Sequence, residues 1–208
     1  MTEREPDVIV DADGMARCWW CGTAPDYMAY HDREWGFPVA EDRALFEKVC
    51  LEGFQSGLSW LTILRKRDAF REVFCDFEPG AVARLGTRDV RRLLADARIV
   101  RHRGKIEATI HNAKRAHELA DEFGSLATYF CSHQPRPAAH PRKFTRSRLS
   151  RLTTTPEAMA LSVDLKRRGW KFVGPTTMYS FMQATGLVND HVEQCHARAW
   201  VEAARAQL

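Results

Sequence analysis

Two short stretches far apart in the chain restrict its fold more than anything between them. Cys18-Trp-Trp-Cys21 leads into Tyr27-Met-Ala-Tyr-His31, and Asn189-Asp-His191-Val-Glu-Gln-Cys195 stands near the other end. His191 and Cys195 are four residues apart, so on a helix they would project from one face about a turn apart, a spacing that suits two ligands of one ion. Cys18 and His31 are separated by twelve residues and must come together through a loop. Two thiols and two imidazoles are soft or borderline donors that favour zinc, and four protein ligands leave no open position, as in a structural site. One zinc ion would then tie the N-terminal arm to a C-terminal helix. Each residue taken singly reads as a buried thiol or an ordinary histidine; the pairing is what points to metal. Cys21 competes with Cys18 for the same position, and spacing does not separate them.

With 208 residues, 45% of them hydrophobic, the chain can bury a sizeable core as one domain or as two small lobes sharing a cleft. No run of eighteen apolar residues exists, and Met1-Thr-Glu-Arg-Glu-Pro-Asp lacks the basic start and apolar middle of a signal peptide, so a soluble cytoplasmic protein is expected, with no membrane partner. In a reducing compartment six scattered cysteines serve as metal ligands and small buried hydrophobes rather than as a disulfide framework. The charge is uneven. Glu3, Glu5, Asp7, Asp11 and Asp13 make the N-terminus acidic, whereas Arg136, Arg142, Lys143, Arg146, Arg148 and Arg151 follow one another with no acid between them. A basic body behind an acidic tail fits a polyanion partner, although a merely solvated basic surface explains the charge equally well.

Residues 1–16 are expected to be a disordered acidic tail. Glu41 to Gln55 reads as a helix with Leu45, Phe46, Val49, Cys50 and Gly53 on one arc. Ser59 can cap a second helix through Trp60, Leu61 and Leu64 towards Phe70, and Thr87 can cap a third to Ala97. The ladder Ile106, Ile110, Ala113, Ala116, Ala120, Phe123 predicts a long helix over Arg103 to Phe123. Residues 133–154 read as an excursion loop. Thr155-Pro-Glu and Gly174-Pro175 open two further helices, ahead of the one expected to carry His191 and Cys195. No strand is evident, so the fold class is all-α.

Glu52 falls in the last turn of its helix, where the dipole disfavours a negative charge, between Leu51 and Gly53. The helical wheel does not distinguish it from Glu47, since both flank the apolar arc. Trp19, Trp20, Tyr27, Tyr30, Trp35 and Trp60 bracket this helix in sequence. Such rings usually build core, but flat rings beside a carboxylate also make a slot for a nucleobase. A slot leaves ring faces accessible; a core does not. The turn Ala97 to Arg101, ahead of a basic helix, resembles a helix–hairpin–helix clamp, with Arg101, Arg103 and Lys105 near phosphate, though the glycines expected in such a hairpin are absent.

Several long motifs in order then resemble the bacterial 3-methyladenine DNA glycosylase I family of the helix–hairpin–helix superfamily. They are Asp26-Tyr-Met-Ala-Tyr-His-Asp-Arg-Glu-Trp-Gly36, Cys50-Leu-Glu-Gly-Phe-Gln-Ser-Gly-Leu-Ser-Trp60, Ile99-Val-Arg-His-Arg-Gly-Lys-Ile106, Phe172-Val-Gly174, Tyr179-Ser-Phe-Met-Gln-Ala184 and Gly186-Leu-Val-Asn-Asp-His191. The resemblance implies a helix–hairpin–helix glycosylase-like fold, with residues 17–200 as a single helical domain of two lobes and 201–208 as a tail. It implies one structural zinc held by Cys18, His31, His191 and Cys195, with Cys21 an extra thiol. It makes Glu52 the base-recognition carboxylate, Tyr30 and Trp60 the rings that stack a flipped base, and Tyr27 and Trp20 the pocket lining. Phe54 stands where the family commonly has a polar residue, the N-terminal tail is longer, and the basic loop 136–151 diverges. The catalytic aspartate of many superfamily relatives is not part of this family's pattern.

The activity so implied is excision of 3-methyladenine from alkylated double-stranded DNA by base flipping, without a lyase step, in a monomeric enzyme. Leu58, on the Gly57–Ser59 turn, is the candidate wedge into the vacated stack. Two other classes of protein compete with this activity. A zinc hydrolase or deaminase needs an open metal position, which four protein ligands do not leave, and the deaminase signature of His-x-Glu followed by Pro-Cys-x-x-Cys is absent from the chain. A non-catalytic zinc-stapled DNA-binding module accounts for charge and metal but leaves the aromatic residues and Glu52 idle.

Overall fold

The computed structural model describes residues 5–12, 14–136 and 143–207, so part of the acidic tail (1–4 and 13) and part of the basic loop (137–142, with Arg142) lie outside the described residues. The chain is mostly helical, as expected. The centre is α2, Asp42–Gln55, in which every residue from Leu45 to Phe54 is buried. A helix covered on all sides has no solvent face for a wheel to find, which is why the pattern could not separate Glu47 from Glu52. Glu47 is neutralised by Arg71, 2.8 Å away, whereas Glu52 forms no ion pair among the described residues. Around α2, the rings of Phe54, Phe70, Phe74 and Phe77 pack in sequence, with Phe54 and Phe70 centroids 4.5 Å apart.

Ahead of α2 lies α1, Pro25–Arg33, a helix where the sequence suggested only a connecting loop. Ser59 caps the next helix through its Oγ, 3.2 Å from Thr62 N, but the segment breaks in two, α3 at Trp60–Leu64 and α4 at Arg67–Val73. After α5 (Pro79–Val82) comes α6, Thr87–Ala95, which starts one residue earlier than expected because Asp89 accepts the Gly86 N–H at 3.0 Å. The long α7 spans Arg103–Phe123, with the bounds the ladder predicts. The excursion loop contains a single turn of helix, α9 (Arg146–Leu149), after the short α8 (Leu126–Cys131). Thr155 caps α10, Pro156–Arg167, and α11 runs Pro175–Ala184.

Three expectations need correction. The acidic leader is not structureless: Val8–Val10 (β1) pairs antiparallel with Ala16–Cys18 (β2), Ile9 opposite Arg17. Three-residue strands are too short for alternation to register in sequence. His191 and Cys195 are not on a helix. They sit on an irregular turn before α12, Ala197–Arg205, where Asn189 accepts the His191 N–H and donates to Arg198 O, holding the backbone out of helical form. Residues 201–205 belong to α12 rather than to a loose tail. Gly186 (φ 74°) then passes so close to the segment after α1 that a Cβ there would stand 2.6 Å from Pro38 N, which keeps the two ends of the chain in contact.

Candidate active site and metal centre

The hairpin, α1 and the 189–195 turn converge on one buried cluster. The donor atoms of Cys18, His31, His191 and Cys195 all lie within 4.8 Å of one another. Cys195 Sγ is 3.4 Å from His31 Nε2 and 3.3 Å from His191 Nδ1, and Cys18 Sγ is 3.5 Å from His191 Nδ1. The outer nitrogens are already committed: His31 Nδ1 donates to Asp32 Oδ1 at 2.8 Å, and His191 Nε2 donates to Trp35 O at 3.0 Å. Both imidazoles therefore turn a lone pair inwards, the tautomers that a metal ion requires. Hydrogen bonding from Cys18 pulls Cys195 below an ordinary thiol, while burial drives Cys18 up. The donor set fits a closed tetrahedral ion. Gly36 (φ 87°) allows the close seating of His191, whose Nε2 would lie 3.1 Å from a Cβ at that position. Cys21 is buried but turned away, its Sγ on Gly22 O.

Rings connect this cluster to a cavity of about 250 Å³. Trp20 packs 5.2 Å from His31 and Trp35 4.7 Å from His191, and both tryptophans also line the cavity. Glu52, Tyr27, Tyr30 and Trp60 complete the expected set of lining residues. Tyr30 and Trp60 are 2% and 8% exposed, with centroids 5.3 Å apart, so they are more enclosed than an open slot would make them. Trp20 and Tyr27, half-buried and 5.2 Å apart, supply the more accessible surface. The lining holds three buried polar atoms without a hydrogen-bond partner: Glu52 Oε2, Trp60 Nε1 and Asp190 Oδ1. Burial pushes the Glu52 acid up to about 8, opposed by Lys48. A flat guest with ring-edge hydrogen-bonding groups would satisfy these atoms, and a cationic one would draw Glu52 back to carboxylate.

The sequence missed several wall residues: Gln55, Leu149, Leu152, Ser180, Gln183 and Asp190. Asp190 had a signal, since it lies inside the quoted motif before His191. Its Oδ2 accepts hydrogen bonds from Tyr179 OH and from Gln183 Nε2, the latter at 2.8 Å. Gln55, Ser180 and Gln183 also lie inside quoted motifs, whereas Leu149 and Leu152 come from a segment whose approach to the cavity only the tertiary fold reveals.

The expected phosphate contacts divide. Leu58 is exposed on the turn after α2, and Arg101 and Arg103 are exposed at the start of α7. Lys105 is not available to phosphate. It is buried, and its Nζ donates to Phe54 O at 2.8 Å and Ser56 O at 2.6 Å, closing off carbonyls that the end of α2 leaves unmet. His102 caps α7 by accepting the Lys105 N–H at 3.2 Å. In the divergent loop, Arg146 pairs with Glu5 at 2.6 Å, while Lys143, Arg148 and Arg151 are exposed.

Fold and recess together define a mostly helical protein with an aromatic-walled cavity that contains a buried acid, beside a metal-capable Cys2His2 cluster. Comparison with known proteins narrows that class. The methyladenine glycosylase family matches residues 20–199. DNA-3-methyladenine glycosylase 1 of Escherichia coli is 48% identical over 184 residues, covering 87% of this chain and 96% of the relative. DNA-3-methyladenine glycosylase of Haemophilus influenzae is 41% identical over 86% of this chain and 96% of its own length. Among solved structures, 3-methyladenine DNA glycosylase I from Staphylococcus aureus superposes with a TM-score of 0.79 at 38% identity, covering 85% and 93% of the two chains. A variant of 3-methyladenine DNA glycosylase I solved in complex with 3-methyladenine gives a TM-score of 0.81 at 37% identity, over 88% and 97%. The chain belongs to the methyladenine glycosylase family.

Proposed function

We propose that this chain is a monofunctional base-excision repair glycosylase of the helix–hairpin–helix type. It would act on alkylated double-stranded DNA in the cytoplasm as a monomer, hydrolysing the N-glycosidic bond of 3-methyladenine. The observation that carries the reading is Glu52, a buried acid with an unpartnered oxygen in an aromatic-lined cavity. Adenine alkylated at N3 is cationic while attached to the sugar, so its glycosidic bond is already weakened and the base departs neutral. The enzyme need not protonate it. Its task is to extrude the lesion, keep it dry and let water attack C1′ as the bond to nitrogen breaks, with the bonding electrons neutralising the base.

Glu52 reads the base edge and favours the cation over ordinary adenine; Tyr30 and Trp60 flank the base, and Tyr27 and Trp20 line its approach. Leu58 fills the vacated stack, and Arg101 and Arg103 meet the backbone. One zinc bound by Cys18, His31, His191 and Cys195 supplies a structural cross-link between the N-terminal arm and the 189–195 turn, and no chemistry. Among the described residues no helix is long and apolar enough to cross a membrane. A DNA-binding module without catalysis would have no use for the unmet polar atoms in the cavity. The test is to incubate N-methylated DNA with the protein and with a Glu52→Ala variant, following free base by chromatography. Release of 3-methyladenine by the wild type and its loss in the variant is the expected result; release by neither supports the binding module, and equal release by both removes Glu52 from the reaction.

A further inference from the structure

One buried charge has no part in the site as described. Lys48 lies on α2 one turn before Glu52, on the same side of the helix. It is 8% exposed, and its Nζ has no hydrogen-bond partner. That nitrogen stands 4.9 Å from the centroid of the Tyr30 ring and 5.8 Å from that of Trp60, the two rings expected to flank the base. Its nearest anion is Glu34 Oε2, at 3.7 Å, and Glu34 is already held by two nitrogens of Arg67, at 2.5 Å and 3.0 Å. A buried ammonium with so little local compensation is unfavourable unless another negative charge shares it.

We propose that Lys48 is a positioning residue for the pocket: its ammonium, lodged against Tyr30 and Trp60 one helical turn from Glu52, is the counter-charge of the Glu52 carboxylate. Burial pulls the Lys48 ammonium down; of the groups facing it, Glu34 just after α1 opposes that, Arg67 on α4 adds to it, and Glu52 and Glu47 on its own helix oppose it. Those facing Glu52 are Lys48, Tyr27 and Tyr30, with Asp190 also lining the cavity and bonded to Tyr179. Lys105 of α7 is committed to backbone carbonyls and Glu47 to Arg71, so neither competes. Burial raises Glu52, and Lys48 is the one opposing charge. A neutral residue at position 48 takes that charge away and leaves the effect of burial unopposed, so the acid climbs further.

This inference rests on the recognition role of Glu52 only for its functional consequence, so its test has two readings. Carboxyl carbon NMR titration of Glu52 in the wild type, Lys48→Met, Lys48→Gln and Lys48→Arg follows the acid directly, whatever it binds. The neutral variants should titrate higher, by roughly one pH unit, with Lys48→Arg close to wild type. Glu52 titrating at the same pH in all four overturns the proposal. Single-turnover release of 3-methyladenine against pH is the second reading. Its acidic limb should move upward with the titration in the Met and Gln variants, leaving rates at pH 7 several-fold lower and restored at higher pH. A uniform loss at every pH marks Lys48 as mere packing and also overturns the proposal. A limb that stays fixed while Glu52 titrates higher leaves Lys48 in its role and counts against Glu52 as the recognition group.

Discussion

Asp32 accepts the Nδ1–H of His31 at 2.8 Å, and through that bond the carboxylate fixes which imidazole nitrogen faces the Cys2His2 cluster. The same oxygen takes His196 Nε2 at 2.9 Å, and Arg17 grips both oxygens, its Nη2 at 2.8 Å from Oδ2. Burial alone would raise the Asp32 carboxyl, but these donors hold it well below the usual carboxylate range. An Asp32→Asn variant keeps the shape and loses the charge. Its affinity for zinc should fall about 10- to 100-fold, measured by competition with a chromophoric chelator.

Removal of the metal should act on stability before chemistry. Chelation is expected to lower the melting temperature substantially, because the ion would join segments that otherwise meet through few covalent constraints. Cobalt substitution should give the intense absorption of a tetrahedral site with two thiolates and no labile water. A weak, five- or six-coordinate spectrum would count against a closed structural site.

Glu52 predicts a pH-dependent stability difference. Its folded acid sits near 8 against a reference of 4.5, so between these values the native state holds a proton that the unfolded chain has released. The stabilisation is complete below pH 4.5 and is lost as pH rises through about 8. Glu52→Gln escapes that loss. Urea unfolding should find it close to wild type at pH 4.5 and more stable at pH 9, on the order of a few kcal/mol, while base release falls roughly 10- to 100-fold.

How far the chain could be read in advance follows from where its information is local. The bounds of α7 and the start of α10 were legible because an apolar ladder and a Thr-Pro cap act within a few residues. The Cys/His cluster was legible in outline because so few residue types bind metal, but spacing could not separate Cys18 from Cys21, whose Sγ lies on Gly22 O outside the cluster. Glu52 was not separable from Glu47 by pattern, since α2 is buried on all sides and only Arg71 distinguishes the two. The non-helical turn at His191 depends on Asn189 reaching Arg198, a bond no periodicity encodes. Lys105 looked like a phosphate ligand because its charge is visible in sequence and the carbonyls it serves, Phe54 and Ser56, are far away along the chain.

That last distinction is testable on DNA. Arg101→Ala and Arg103→Ala should each weaken binding and reduce the slope of log K against log salt by roughly 0.9. Lys105→Met should leave the slope unchanged and instead destabilise the fold by about 1–3 kcal/mol, the effect of two buried carbonyls losing their donor. Thermal melts and salt titrations by fluorescence anisotropy separate the two behaviours.

The recess draws Trp20, Tyr27 and Tyr30 from one end of the sequence and Ser180, Gln183 and Asp190 from the other. A ribosome must therefore deliver nearly the whole polypeptide before this recess can close. Nascent or C-terminally clipped fragments, however well their early helices form, lack one of its walls.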